Sequence, residues 1–131
     1  MIVLDTHVLI WWIENPAQLS PKARRAIAKD SLENGIIVSS VSALEIATLV
    51  RRNRLHLAVS VDLWLANVQR LPELHFEPVT AEMAQIAGSI GDGLHGDPVD
   101  RLIAATAVVL NAPLVTADTK LREYKGLDTV W

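Results

Sequence analysis

The chain has no cysteine among its 131 residues. Disulfides, thiolate nucleophiles, thiolate zinc sites and iron–sulfur clusters are therefore excluded, and the composition suits a reducing, cytoplasmic setting. Long apolar runs are missing too. The longest uncharged stretch, Leu102–Ala117, has 16 residues and carries Thr106, Asn111 and Pro113, short of the roughly 20 apolar residues a membrane span needs. Asp5 interrupts Ile2-Val3-Leu4 before a signal-like core can form, so no targeting segment is expected. Basic excess is absent: 12 Lys and Arg face 15 Asp and Glu, a formal charge of −3, which does not announce a nucleic-acid partner. No G-x-x-x-x-G-K-S/T, G-x-S-x-G or H-x-x-x-H spacing occurs, and the Gly91-Asp92-Gly93 loop, although Gly96 completes a G-x-G-x-x-G spacing, is not followed by the right helix, which argues against nucleotide cradles, a hydrolase elbow and a histidine zinc site.

What is present is half apolar by count, enough for one domain that buries about two-thirds of its unfolded surface. Short β-prone runs alternate with amphipathic stretches. Ile2–Leu4, Ile36–Val38, Leu74–Val79 (broken by Pro78), Pro113–Thr116 and Thr129–Trp131 read as strands. Helices are expected over Val8–Ile13, from Ser20-Pro21 to Gly35, from Ser42 to about Arg52, from Ser60 to Leu71, from Thr80 to Ile90 and from Asp97 to Leu110, with a short helical turn over Asp118–Tyr124. Ser20 and Asp97 each precede proline as N-caps, and Ser42-x-x-Glu45 has capping-box spacing. Buried strands separated by helices predict an α/β fold: a three-layer α/β/α sandwich on a mostly parallel sheet of about five strands. No repeat or linker divides it.

Five carboxylates fall at the joints. Asp5 ends the first strand, Asp118 follows the Pro113–Thr116 strand, and Glu45, Asp97 and Asp100 lie in the first turns of helices. In parallel α/β sheets ligands bind beyond the carboxyl ends of the strands, so these acids are expected at one edge. Gathered there they repel and raise one another's pKa, a penalty that a divalent ion removes; all-oxygen ligation favours Mg²⁺ or Mn²⁺. Each position also has a local use. Asp97, Asp100 and Glu45 suit a helix start, and Asp5 and Asp118 suit turns. His7, His56, His75 and His95 show no ligand spacing.

The segments Ile2-Val3-Leu4-Asp5-Thr6-His7, Ser42 with Glu45, Asp97-Pro98-Val99-Asp100-Arg101-Leu102-Ile103-Ala104-Ala105 and Leu114-Val115-Thr116-Ala117-Asp118 together resemble the PIN-domain ribonucleases, and more narrowly the VapC-type toxins of bacterial toxin–antitoxin pairs. The likeness runs along the whole chain in the family's order. It implies a PIN-like sandwich, a Mg²⁺- or Mn²⁺-dependent endoribonuclease, a homodimer and a small antitoxin partner. It places the family's acids on Asp5, Glu45, Asp100 and Asp118. Asp5 and Asp100 are then the principal metal ligands, Glu45 and Asp118 complete the shell, Asp97 stands behind them, and Thr116 is a small polar position near the last acid. A non-catalytic RNA- or partner-binding module and an Asp5-dependent phosphatase or phosphotransferase are the alternatives.

RNA contact needs cations, and Arg51, Arg52, Arg54, Arg101 and Lys120 are the candidates for phosphate positioning, with Arg122 and Lys125 nearby. The arginines after the Glu45 helix also complement its C-terminal dipole. Trp11 and Trp12 belong to a helix suited to core packing or to an interface. Without the five clustered acids, ten of the 15 remain against 12 bases. The acidic balance thus resides in the proposed pocket and no longer argues against RNA.

Overall fold

In the computed structural model, which describes residues 1–131, five short strands form one parallel sheet. They are β1 (Ile2–Leu4), β2 (Ile36–Ser39), β3 (Leu74–Glu77), β4 (Leu114–Val115) and β5 (Thr129–Val130), in the spatial order β3-β2-β1-β4-β5. β1 is central, with Leu4 opposite Val38 on one side and Val115 on the other. Side chains on β1 alternate between faces, as the pleat requires. Ile2 and Leu4 join one apolar cluster with Ile36, Val38 and Val115, whereas Val3 joins another with Leu114.

Seven helices cover those faces: α1 (Thr6–Glu14), α2 (Pro21–Glu33), α3 (Val41–Arg51), α4 (Val61–Gln69), α5 (Ala81–Ser89), α6 (Pro98–Leu110) and α7 (Thr119–Glu123), with a 3₁₀ turn at Pro16–Gln18. The larger cluster takes Val8 and Leu9 from α1, Ala23 and Ile27 from α2, Ile46 from α3, and Trp64 and Val68 from α4. Across the sheet, Ile103, Ala104 and Ala107 of α6 pack with Leu121 of α7. Met83 and Ala87 of α5 lie against Ala105 on the outer side of α6. The expected α/β/α sandwich and its five-stranded parallel sheet are therefore observed.

Local signals mostly act as expected. Ser20 and Asp97 accept N-terminal amide protons, from Ala23 and from Val99 and Asp100. β3 ends before Pro78 and runs along an edge of the sheet, where a residue without an N–H does no harm. Gly35 sits just past α2 with φ +88°, a conformation a side chain resists. The capping box at Ser42 and Glu45 is a correction. α3 already begins at Val41, and the Ser42 hydroxyl is buried against Thr6 Oγ1 at 2.8 Å. That hydroxyl joins α3 to α1 instead of closing a helix end.

The topology positions the site. From β1 the chain builds outward to β2 and β3, then crosses back to β4 on the other side of β1. Strand order reverses between β1 and β4, and a crevice opens at their carboxyl ends.

Candidate active site at the carboxyl edge of the sheet

Asp5 leaves β1 directly into that crevice and is the N-cap of α1. Its Oδ1 accepts the Val8 amide at 3.0 Å, and its Oδ2 accepts the Thr116 hydroxyl. The residue is almost fully buried, and this burial raises its pKa; the Thr116 and Val8 hydrogen bonds and His7 oppose the rise, and Glu45 adds to it. Thr116 Oγ1 in turn accepts the Asp118 amide at 3.0 Å. A single buried hydroxyl thus links the ends of β1 and β4 and sets where both acids stand.

Asp118 caps α7 in the same manner, its Oδ1 accepting amides from Lys120 at 2.8 Å and Leu121 at 3.2 Å. Asp97 caps α6 through Oδ1 and is exposed. Three of the five acids are therefore helix caps. The choice between helix start and metal site was a false one, since a carboxylate has two oxygens and one suffices for the cap. Helix N-termini also offset part of the repulsion among the clustered charges.

Asp100, one turn into α6, lies on the inner side of this group. Desolvation pushes its pKa up to about 7, helped by Asp97, Asp118, Glu45 and Asp5 in that order. All five acids are thus within electrostatic reach of one carboxyl group. Asp100, Asp118 and His95 come together closely, with one ligand atom from each lying within 4.8 Å of the others. With Asp97, Thr119 and Lys120 they line a cleft of about 450 Å³. Glu45, half-buried on α3, completes the set electrostatically.

His95 is the residue that motif spacing misses. Its Nε2 stands 3.2 Å from Asp100 Oδ2, off the axis of a hydrogen bond, and is buried without a partner. The available signal was position: His95 lies in the glycine loop two residues before the Asp97 cap.

The cations separate. Lys120 is exposed at the cleft. Arg51, Arg52 and Arg54 are exposed around the end of α3. Arg101, also a phosphate candidate, is engaged by backbone. Its guanidinium donates to the carbonyls of Ala87 (2.9 Å), Leu94 (3.0 Å), His95 (3.2 Å) and Ile90, fastening the loop between α5 and α6. Trp11 and Trp12 are half-buried against the main core, and Trp11 packs on His7 and Trp131 with ring centroids 5.9 and 5.8 Å apart. No helix is long and apolar enough to cross a membrane.

The donor set suits a divalent ion. Two carboxylates and an unpartnered imidazole nitrogen converge with three further acids in electrostatic reach, and one of the converging carboxylates resists ionisation in the absence of a counter-charge.

Residues 2–127 match the model of the PIN domain family. The chain is 36% identical over 133 aligned positions to ribonuclease VapC22 of Mycobacterium tuberculosis, covering 99% of this chain and 98% of that one. Among solved structures, VapBC2 of Rickettsia felis, crystallised with a DNA fragment from its promoter, aligns with a TM-score of 0.70 at 20% identity, over 98% of this chain and 97% of that one. FitAcB of Neisseria gonorrhoeae aligns at 0.65 and 22% identity, over 98% and 96%. At that identity the two structures speak for the fold, which is the one described above. The acid-lined switch point, the five-stranded parallel sheet and the full-length similarity to VapC22 together place this chain in the PIN-domain family, as a relative of the VapC ribonucleases.

Proposed function

We propose that this protein is a metal-dependent endoribonuclease that serves as the toxin of a cytoplasmic toxin–antitoxin pair. The observation that carries the reading is the convergence of Asp100, Asp118 and His95 beside the Asp5–Thr116 link, at the one place where the strand order reverses. The relative that matches end to end is a ribonuclease by name, and structural neighbours include the VapBC-1 assembly of Haemophilus influenzae. Those likenesses support RNA as substrate and an antitoxin as partner; the homodimer follows from the family resemblance alone.

Asp5, Glu45, Asp100 and Asp118 would hold Mg²⁺ or Mn²⁺, whose chemistry here is to lower the pKa of water and to stabilise charge on a phosphoryl oxygen. The chain's own residues do the rest. Thr116 holds Asp5 in place while the α1 terminus fixes its other oxygen. Asp118 is oriented by the α7 amides, and Lys120 beside it offers a cation to the substrate backbone. Asp97 holds the start of α6, and with it Asp100. Asp5 is buried with both oxygens engaged, which does not suit attack on phosphorus and so weighs against a phosphotransferase.

The test is cleavage of RNA by the purified chain with Mg²⁺ or Mn²⁺, and its loss on adding EDTA. Asp5→Asn keeps an acceptor for the α1 cap, so the variant is expected to fold and to lose cleavage by a factor of about 10² or more. Full cleavage by Asp5→Asn, free of contaminating nuclease, overturns the site.

A further inference from the structure

His95 lines the same cleft as Asp97, Asp100 and Asp118, yet a centre built on four acids leaves it without a task. Its Nε2 is shielded from solvent and has no hydrogen-bond partner, although Asp100 Oδ2 is 3.2 Å away. A polar atom buried without a partner costs stability, and this one faces two carboxylates across distances that a single cation can span. The other three histidines are placed differently. His56 and His75 are exposed and His75 pairs with Glu77, while His7 is exposed with its ring against Trp11.

We propose that His95 is a metal ligand: its Nε2 joins Asp100 and Asp118 on the divalent ion, and the added nitrogen biases the site toward Mn²⁺ over Mg²⁺. The proposal rests on the metal centre argued above. Ligation through Nε2 puts the neutral ring's proton on Nδ1, so the contact that Nδ1 now accepts from the Asp97 amide is given up. At 3.4 Å that contact is the longest hydrogen bond around the site, and the Asp97 amide lies on an exposed residue open to water. Mg²⁺ is a hard ion that keeps to oxygen and water, whereas a transition ion accepts imidazole beside carboxylate. Arg101, which binds the His95 carbonyl, holds the ring's backbone in place for this. The all-oxygen shell expected from the motifs thereby becomes a mixed one.

The experiment loads the purified full chain with Mn²⁺ and records electron paramagnetic resonance, in a pulsed mode that detects coupling to a directly bound ¹⁴N. The expected result is nitrogen coupling in the wild type and its loss in His95→Gln. Coupling is expected to persist in a variant carrying His7→Gln, His56→Gln and His75→Gln together, which assigns it to His95 even if His95→Gln does not fold. Calorimetric titration of His95→Gln should show Mn²⁺ affinity weakened about tenfold or more, with Mg²⁺ affinity changed much less. An Mn²⁺-loaded wild type without nitrogen coupling overturns the proposal and leaves an oxygen-only centre standing. Loss of coupling in the triple variant, or equal weakening of both ions in His95→Gln, overturns it as well. A wild type that takes up no Mn²⁺ overturns the metal centre itself, which separates the two failures.

Discussion

Asp100 carries the electrostatic burden of the site, and its behaviour is testable without any substrate. Its carboxyl is pushed from an ordinary 3.8 up to about 7 by burial and by four neighbouring acids. A carboxyl whose folded value lies above its unfolded one binds more protons when folded, so protonation favours the fold. In the metal-free protein this contribution should therefore be fully present below about pH 4 and be lost as pH rises through 7. Asp5, raised in the same direction by burial, adds to the slope. Asp100→Asn should melt higher than the wild type at pH 8 in EDTA, with the gap closing toward pH 4, while cleavage is lost. Melting curves of both proteins across that range check the sign, and a gap that fails to widen from pH 4 to 8 contradicts it. Asp5 and Asp118 were legible in the sequence as acids after buried strands. The local alternative read for them was a turn, and that they cap α1 and α7 emerged only with the structure.

At the scale of elements, the loop between α5 and α6 is held by a side chain rather than by regular backbone pairing. Arg101 gathers four carbonyls from Ala87 to His95, so a residue that reads in sequence as a phosphate ligand is a clamp. Arg101→Met should destabilise the fold by about 2–4 kcal/mol, because buried carbonyls lose a charged donor. Arg101→Lys should fall between, since one ammonium cannot spread over four acceptors as a planar guanidinium does. Urea unfolding measures both, and an Arg101→Met protein as stable as the wild type refutes the clamp. The Ser42-x-x-Glu45 pattern fails for a related reason. A short motif describes what a hydroxyl could reach along its own helix, and Thr6, 36 positions earlier in the chain, reaches Ser42 first.

For the molecule as a whole, charge is distributed by function rather than by count. Five of the acids gather around one cleft, whereas Arg51, Arg52 and Arg54 stay exposed around the end of α3. Arg52 lies seven residues beyond Glu45, two turns along the same helix face and roughly 10 Å away. Under the proposed function these arginines would offer a basic track to RNA passing the cleft. Replacing all three arginines by Gln should weaken RNA binding evenly across sequences and lower the slope of log affinity against log salt by about 2, with melting behaviour unchanged. Binding measured at several salt concentrations tests this. A preserved slope would move the backbone contacts elsewhere, with Lys120 the next candidate.

The sequence alone determined the class of fold and the order of its elements, and it offered the four acids proposed for the site. These follow from short-range physics: strand and helix periodicity, proline and glycine at the boundaries, and charges that cannot lie inside a sheet. Only the tertiary structure decided which side chains share space. It brought His95 in from a loop, paired Asp5 with Thr116 from the opposite end of the chain, withdrew Arg101 into the backbone and moved Ser42 to a helix–helix contact. The Asp5–Thr116 pair and the approach of His95 to Asp118 depend on the crossover that carries β4 back beside β1, while Ser42 and Arg101 are set by the packing of α3 on α1 and of the α5–α6 loop on α6. Local periodicity holds no record of such contacts.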